Sequence, residues 1–394
     1  MSPFSWYVAA AGTWFLAFGL QSVIVSTIVA MQLHGDSSAM AATQMAQQLP
    51  GFGLILLGGA IADRVDRRAL LIALYLGAAG LVAALGLGAE AGWLSLPVVI
   101  AYVLTMGTVA AFVMPSRDAM LSDLVVGNLM RAITMLTLIQ FAMQALGSAF
   151  GVAGRYVGIL PLIGLQMAVL LAGVPALARL PRPKRVTAAP RRALRLGELA
   201  DGIREVVRSP VLGPVALLSV ALGTLFIGPF QVVFPLLVRD YYKGDVAELS
   251  LLYTSFPIGT IAGSALILLR GGIRRKGAGQ LLALAAGALC MGALGLGLPF
   301  WGALIATLAF GVGGAFFMNA GRALFQEHAT PENRGRVLSV YTLTFMGASG
   351  VIGAPLAGWM NAQLGPLGTC GACGAMMLAV VGTVAIATDV RKLV

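Results

Sequence analysis

Charge is scarce in this chain and almost missing from its apolar stretches. Only 10% of its 394 residues are Asp, Glu, Lys or Arg, against about 25% in an ordinary soluble domain. Histidine occurs twice and cysteine three times. Cys370 and Cys373 form a C-x-x-C pair, but no further ligand accompanies them in sequence. No metal, redox centre or cofactor is therefore expected. A nucleophile elbow and a phosphate loop are also missing, and Asp118 and Asp123 lack a metal-type spacing, which argues against an enzyme.

What is present is apolar sequence in long blocks. Hydrophobic residues make up 59% of the chain, and the mean hydropathy is +0.91. Blocks of about 20 residues suit a helix crossing a hydrocarbon core of about 30 Å. The 51 glycines suit helices whose backbones approach closely in a membrane. Twelve spans are expected, at 6–31, 38–61, 69–88, 95–115, 130–153, 156–179, 211–238, 249–269, 278–298, 300–321, 337–361 and 366–388. The first has no basic flank and is too long for a signal peptide, so it is expected to be retained.

The net charge of +11 does not point to nucleic acid, because the basic residues lie in short loops without interleaved aromatics. Alternate loops divide the 26 Lys and Arg residues very unevenly. One set holds 23; the other holds only Arg155, Arg239 and Lys243. The positive-inside rule puts the rich set, and both termini, in the cytoplasm. A multi-pass protein of a bacterial inner membrane is expected, as a monomer.

Residues recur at a constant offset. Arg117, Asn128, Arg131, Thr134, Thr137 and Leu138 return as Arg322, Asn333, Arg336, Ser339, Thr342 and Leu343, each 205 residues later. An Arg-bearing loop repeated between apolar spans, half a chain apart, implies two similar bundles in tandem. The expected fold is all-α, with two pseudo-repeated six-helix bundles around a central cavity, at 1–180 and 211–394. The connecting residues 181–210 open with Pro181, Arg182, Pro183, Lys184 and Arg185, then turn amphipathic. Leu196, Leu199, Ile203, Val206 and Val207 share one helical face. This segment reads either as a helix on the inner membrane surface or as a solvated connector.

Ionisable residues within a membrane usually mark ion or substrate sites, yet all 15 acids fall at span ends or in loops. Uncharged polar residues are the candidates for a substrate cavity: Gln21, Gln44, Gln48, Tyr102, Thr137, Gln140, Gln144, Gln231, Tyr253, Asn319 and Tyr341. Amides facing lipid are costly, so these should face inward, either lining a pathway or tying helices together. Phe226, Phe230, Phe234 and Trp14 could add apolar lining or simply pack, and Pro229 and Pro235 should kink the seventh span.

The loop Gly59-Ala-Ile-Ala-Asp63-Arg64-Val-Asp66-Arg67-Arg68 resembles the signature loop of the major facilitator superfamily, with Asp66 at a position where that pattern has glycine. The run from Arg322 through Pro331, Arg334, Gly335 and Arg336 to Tyr341, and the segment 202–218, are similar to the macrolide-efflux and enterobactin-exporter branch. The resemblance implies a conformational latch of Gly59, Asp63, Arg67, Arg68, Arg117, Asp118, Asp123, Arg322 and Arg336. In it Asp63 would face the start of the eleventh span near Arg336, and Arg67 would pair with Asp118 or Asp123. The second half has no counterpart of Asp63, so the latch should be asymmetric.

These features predict a secondary transporter that exports an amphipathic small molecule, drug-like or siderophore-like, by alternating access, with proton coupling left open. An importer or a lipid or lysolipid translocator is the alternative on the same fold. A non-transporting sensor and a membrane enzyme fit less well. The expected partners are the small-molecule substrate and the lipid bilayer.

Overall fold

In a computed structural model the chain is helical, with no strand among the described residues. The structure describes residues 2–62, 65–125, 129–181, 196–273, 275–328, 337, 340, 341 and 343–393. Helix α1 covers Pro3–Thr27 and continues through a wider turn at Ile28–Gln32. It is followed by α2 (Ser37–Ala62), α3 (Arg67–Glu90), α4 (Leu96–Leu124) and α5 (Leu129–Phe150, prolonged through Gly154–Val157). Next come α6 (Ile159–Ala178) and the connecting helix α7 (Leu196–Arg208). Helix α8 runs without a break over 212–241, and α9 (Val246–Leu269), α10 (Lys276–Gly295) and α11 (Phe300–Glu327) succeed it. The chain ends with α12 over 343–364 and α13 over 366–387.

Among the described residues ten stretches are long and apolar enough to cross a membrane, and the last, Gly347–Ala387, holds two spans. It breaks at Gly365, whose φ of 67° and ψ of 177° suit a residue without a side chain. Gly158, at φ 79° and ψ −176°, makes the same break between α5 and α6. With α2, the expected count of twelve is reached.

Two expected boundaries move. The fourth span was placed at 95–115 and the tenth at 300–321, whereas α4 continues to Leu124 and α11 to Glu327. Hydropathy falls where charge appears, but Arg, Met, Leu and Ala continue a helix readily. Arg117 and Arg322 therefore sit inside helices rather than in loops. In the seventh span, where Pro229 and Pro235 are expected to cause a kink, the helix carries wider turns at Gly223–Ile227 and Leu237–Tyr241.

The chain forms two compact units. Unit 1 comprises Met1–His34, Ala46–Ala193 and Gly244–Thr254; unit 2 comprises Gly35–Met45, Leu194–Lys243 and Ser255–Val394. Helices α2 and α9 are each divided: the start of α9 belongs to unit 1, and the start of α2 to unit 2. Close backbone approach holds each unit together. In unit 1 a Cβ added to Gly147 would lie 2.1 Å from the Leu16 carbonyl oxygen, so α1 and α5 meet where only glycine fits. In unit 2 Gly228 and Gly353 bring α8 and α12 equally close.

Candidate functional site

The site begins at the arginine-rich ends of the unit 1 spans. Asp66 caps α3, its carboxylate accepting the Arg68 and Ala69 amides. Free N–H groups at a helix start favour such an acceptor, which gives this departure from the superfamily pattern a structural role. The cap sets the direction of Arg67 and Arg68. Arg67 reaches Asp123 at 2.5 Å, near the end of α4, so of the two acids left open the structure selects Asp123. Arg68 donates to the Ala178 carbonyl at the end of α6.

Asp118 pairs instead with its neighbour Arg117, at 3.2 Å. Only 9% of the Arg117 side chain is exposed. Its guanidinium lies over the Phe15 ring, 4.5 Å from the centroid, and the Tyr7 hydroxyl donates to its carbonyl at 3.0 Å. Nε and Nη1 are buried without a partner among the described residues, as is the hydroxyl of Ser116. A buried donor left unmade costs about 1–3 kcal/mol, more when charged, so this guanidinium retains capacity to bind.

Unit 2 repeats part of this arrangement. Lys276 at the start of α10 pairs with Glu327 at the end of α11, at 2.8 Å. Arg322 is exposed. Asp63 and Arg336 lie outside the described residues, and Gly59 belongs to α2 in a stretch whose side-chain surroundings are not described.

The polar candidates divide between the units. In unit 1 the Gln21 Oε1 accepts from the Tyr102 hydroxyl at 3.3 Å and from Gln166 Nε2 at 3.0 Å. This ties α1, α4 and α6 together, and Gln166 Oε1 remains unpartnered. The Tyr253 hydroxyl hydrogen-bonds the Ser26 hydroxyl at 3.0 Å. Thr137 donates to the Ile133 carbonyl of its own helix, and Gln48, Gln140 and Gln144 are partly exposed. In unit 2 Gln44 is buried with Oε1 unpartnered, and Gln231 is partly exposed. Asn319 is exposed and bonds back to the Ala315 carbonyl, while Tyr341 donates to the Met318 carbonyl at 3.4 Å. The aromatic candidates pack. Phe226 meets Phe310 edge-on at 5.0 Å, Phe230 contacts Phe234 and Phe256, and Trp14 lies tilted against Tyr75 at 5.3 Å.

Sequence reasoning missed two features. Gln166 is a lone amide in an apolar run, a signal that was legible but passed over. The second is a clasp at the opposite ends of the unit 1 spans. Asp245 accepts the Ala247 amide and Glu248 accepts the Asp245 amide, a reciprocal cap at the start of α9. Arg155 spans both acids, at 2.8 Å to Asp245 and 2.6 Å to Glu248. The Asp-x-x-Glu spacing before a span and the rarity of bases in that set of loops were the available clues. Burial pushes the Asp245 carboxyl up, but the bonds from Arg155 and Ala247 outweigh it and hold it below its ordinary value. Asp36, which caps α2, is also held low, by the Ser38 hydroxyl and the Ala39 amide.

The three cysteines are free thiols. Among the described residues no group of three or more His, Cys, Asp or Glu is placed to hold a metal ion.

Relatives are consistent with this architecture. Macrolide efflux protein A of Streptococcus pyogenes is 28% identical over 191 residues, 46% of this chain and 45% of that protein. The Enterococcus faecalis protein of the same name is 33% identical over 138 residues, 32% of this chain and 41% of that protein. Both matches therefore span less than half of the relative. The fold is that of the nucleoside transporter NupG in its D323A mutant, with a TM-score of 0.77 at 10% identity over 98% of both chains. A D-xylose-proton symporter gives 0.68 at 15% identity, over 99% of this chain and 98% of that one. The profile of the Major Facilitator Superfamily matches residues 8–354, and the chain belongs to that superfamily.

Proposed function

We propose that this transporter exports an uncharged, zwitterionic or amphipathic small molecule of the drug or siderophore type, by alternating access between bundles 1–180 and 211–394. The observation that carries the reading is the kind of polar group buried within the spans. Gln21, Ser26, Gln44, Tyr102, Gln166 and Tyr253 offer amides and hydroxyls, whereas the described acids lie in loops or within two turns of a helix end. Such an interior suits a cargo recognised by hydrogen bonds and apolar contact rather than by a fixed counter-charge; the buried Arg117 lies near the end of α4 and is paired with Asp118. The macrolide-efflux names of the relatives support outward transport and a drug-like cargo.

The latch belongs to the same proposal. Arg67–Asp123 and Lys276–Glu327 brace the arginine-rich ends, and Asp63 would complete the first brace against the start of the eleventh span near Arg336. The Arg155 clasp serves the opposite ends. If protons drive export, Asp36 and Asp245 are poor carriers, because their surroundings favour the charged form. The arginine-rich ends are assigned to the cytoplasm, with both termini, in a bacterial inner membrane. Impermeant thiol reagents should label Arg275→Cys from the cytoplasmic face only, and Lys243→Cys from the outer face only; the reverse pattern overturns the orientation.

The test is expression in a host stripped of its own exporters, screened against a panel of macrolides, other amphipathic drugs and siderophores. A protected compound should accumulate in inverted vesicles and not in right-side-out ones. Faster uptake into right-side-out vesicles would make the protein an importer. Flux of lysolipid alone would make it a lipid translocator.

A further inference from the structure

The connecting helix α7 has one edge in unit 2 and one in the open. Val206 is 1% exposed, packed into a cluster of Leu212, Val215, Ala216, Leu324, Phe325, Val337 and Val340. Gly202, one turn earlier, is buried on the same edge. Ile203 and Val207 are also one turn apart, and they are 45% and 70% exposed. They form an apolar ridge that the protein leaves uncovered. Each step along a helix turns about 100°, so Arg204 and Arg208 flank that ridge on the side away from the buried edge. Both are exposed, and neither has an ion-pair partner among the described residues.

The depth of this ridge is set by its attachments. Helix α8 begins at Leu212, four residues after Arg208. Extended chain covers about 3.3–3.6 Å per residue, so the end of α7 stays within about 14 Å of the start of a span. Val206 also shares its buried cluster with Leu324 and Phe325 in the last turn of α11, just before Glu327. The helix therefore lies at the level where spans leave the hydrocarbon. An uncovered apolar strip beside unpaired guanidinium groups at that depth matches the boundary between acyl chains and phosphates.

We propose that Ile203 and Val207 insert into the membrane interface, and that Arg204 and Arg208 bind the phosphates of anionic phospholipid. This rests on membrane embedding alone and is independent of the transported molecule. Attraction to an anionic surface should favour the docked helix roughly fivefold per arginine.

The full-length protein, with Cys290, Cys370 and Cys373 replaced by Ala, would carry a spin label at Ile203→Cys, Val206→Cys or Val207→Cys. It would be placed in nanodiscs of phosphatidylcholine, with or without phosphatidylglycerol. In the anionic discs oxygen should reach the labels at 203 and 207 several times more readily than a water-soluble nickel chelate, and the label at 206 should be shielded from both. Replacing Arg204→Gln and Arg208→Gln together should abolish the gain from phosphatidylglycerol and leave the label at 206 shielded. Greater access by the chelate at 203 and 207 would overturn the proposal. So would a gain that survives loss of both arginines. Shielding of 203 and 207 that grows with protein concentration in detergent, without lipid, would assign the ridge to a second copy of the chain and also overturn it.

Discussion

Arg117 and Arg322 occupy the same place in the two halves, 205 residues apart, yet one is buried and the other exposed. The difference originates in the first helix of each half. Arg117 is covered by Tyr7 and lies over Phe15. The residues 205 positions later are Leu212 and Val220. An aliphatic side chain offers no ring face and no hydroxyl to a guanidinium, so nothing there holds Arg322 inside. The outer braces behave oppositely: Arg67–Asp123 and Lys276–Glu327 occur in both halves despite different sequences around them. Repetition conserves the brace between the third and fourth helices of each half, while the buried charge is particular to the first.

The largest expected effect separates the two arginines. Arg117→Met should lower transport at least roughly tenfold, if the free donors of Arg117 are used during the cycle. Thermal stability in detergent should hold or rise, because a well-packed apolar side chain can replace an incompletely paired buried charge without loss. Arg322→Met should change transport by no more than about twofold, as an exposed charge contributes little. Equal transport by the two variants in proteoliposomes would erase the comparison.

Next in size are the braces. Arg67→Asp should impair transport by roughly fivefold or more, and the added change Asp123→Arg should recover part of the loss. Adding Asp118→Arg to Arg67→Asp should not, since Asp118 belongs to Arg117. Rescue through Asp118 would show that the pairing changes during the cycle. Loss of the Lys276–Glu327 brace should do less, because that half has no counterpart of Asp63.

The clasp yields a prediction about pH. The Asp245 carboxyl lies below its ordinary value of 3.8 in the folded protein. Its contribution is therefore fully present above that value and is lost as pH falls through the lower folded value. Between pH 5 and 8 the clasp should not titrate through Asp245. Transport by Asp245→Asn, measured against pH over that range, should keep the native profile in shape even if its rate changes. A shifted profile would place a coupling proton at the clasp.

The smallest effects concern Gln21. Its Oε1 already receives two hydrogen bonds, and a carboxylate at Gln21→Glu could accept both. The variant should fold and show a steeper pH dependence of transport than the native protein. Gln166→Leu should cost stability by only about 1 kcal/mol, read as a small fall in melting temperature. Loss of folding in Gln21→Glu would mean that this amide is purely a tie between helices.

The fold was legible because hydropathy and spacing are local properties. Apolar runs of span length, the unequal loops and the offset repeat needed no tertiary information. The site was legible in part. Gln21 and Tyr102 were named separately, but their bond depends on α4 crossing α1, which no spacing encodes. Arg155 and its acids stand 90 and 93 residues apart and come together only because the start of α9 packs into unit 1.

Composition and period alone determined that the chain crosses a membrane repeatedly, since twelve apolar runs can satisfy their backbones only as helices. Only the tertiary structure decided which charges meet. Asp123 takes Arg67 while Asp118 takes Arg117, although both acids lie near the end of α4. The tertiary structure also decided that Val206 is buried while Val207, its equal in the amphipathic pattern, is left exposed. The physical reason is common to both cases. A sequence specifies the residues on a helix face, but the neighbouring helix decides which part of that face is covered and which charged groups come within a few ångströms of each other.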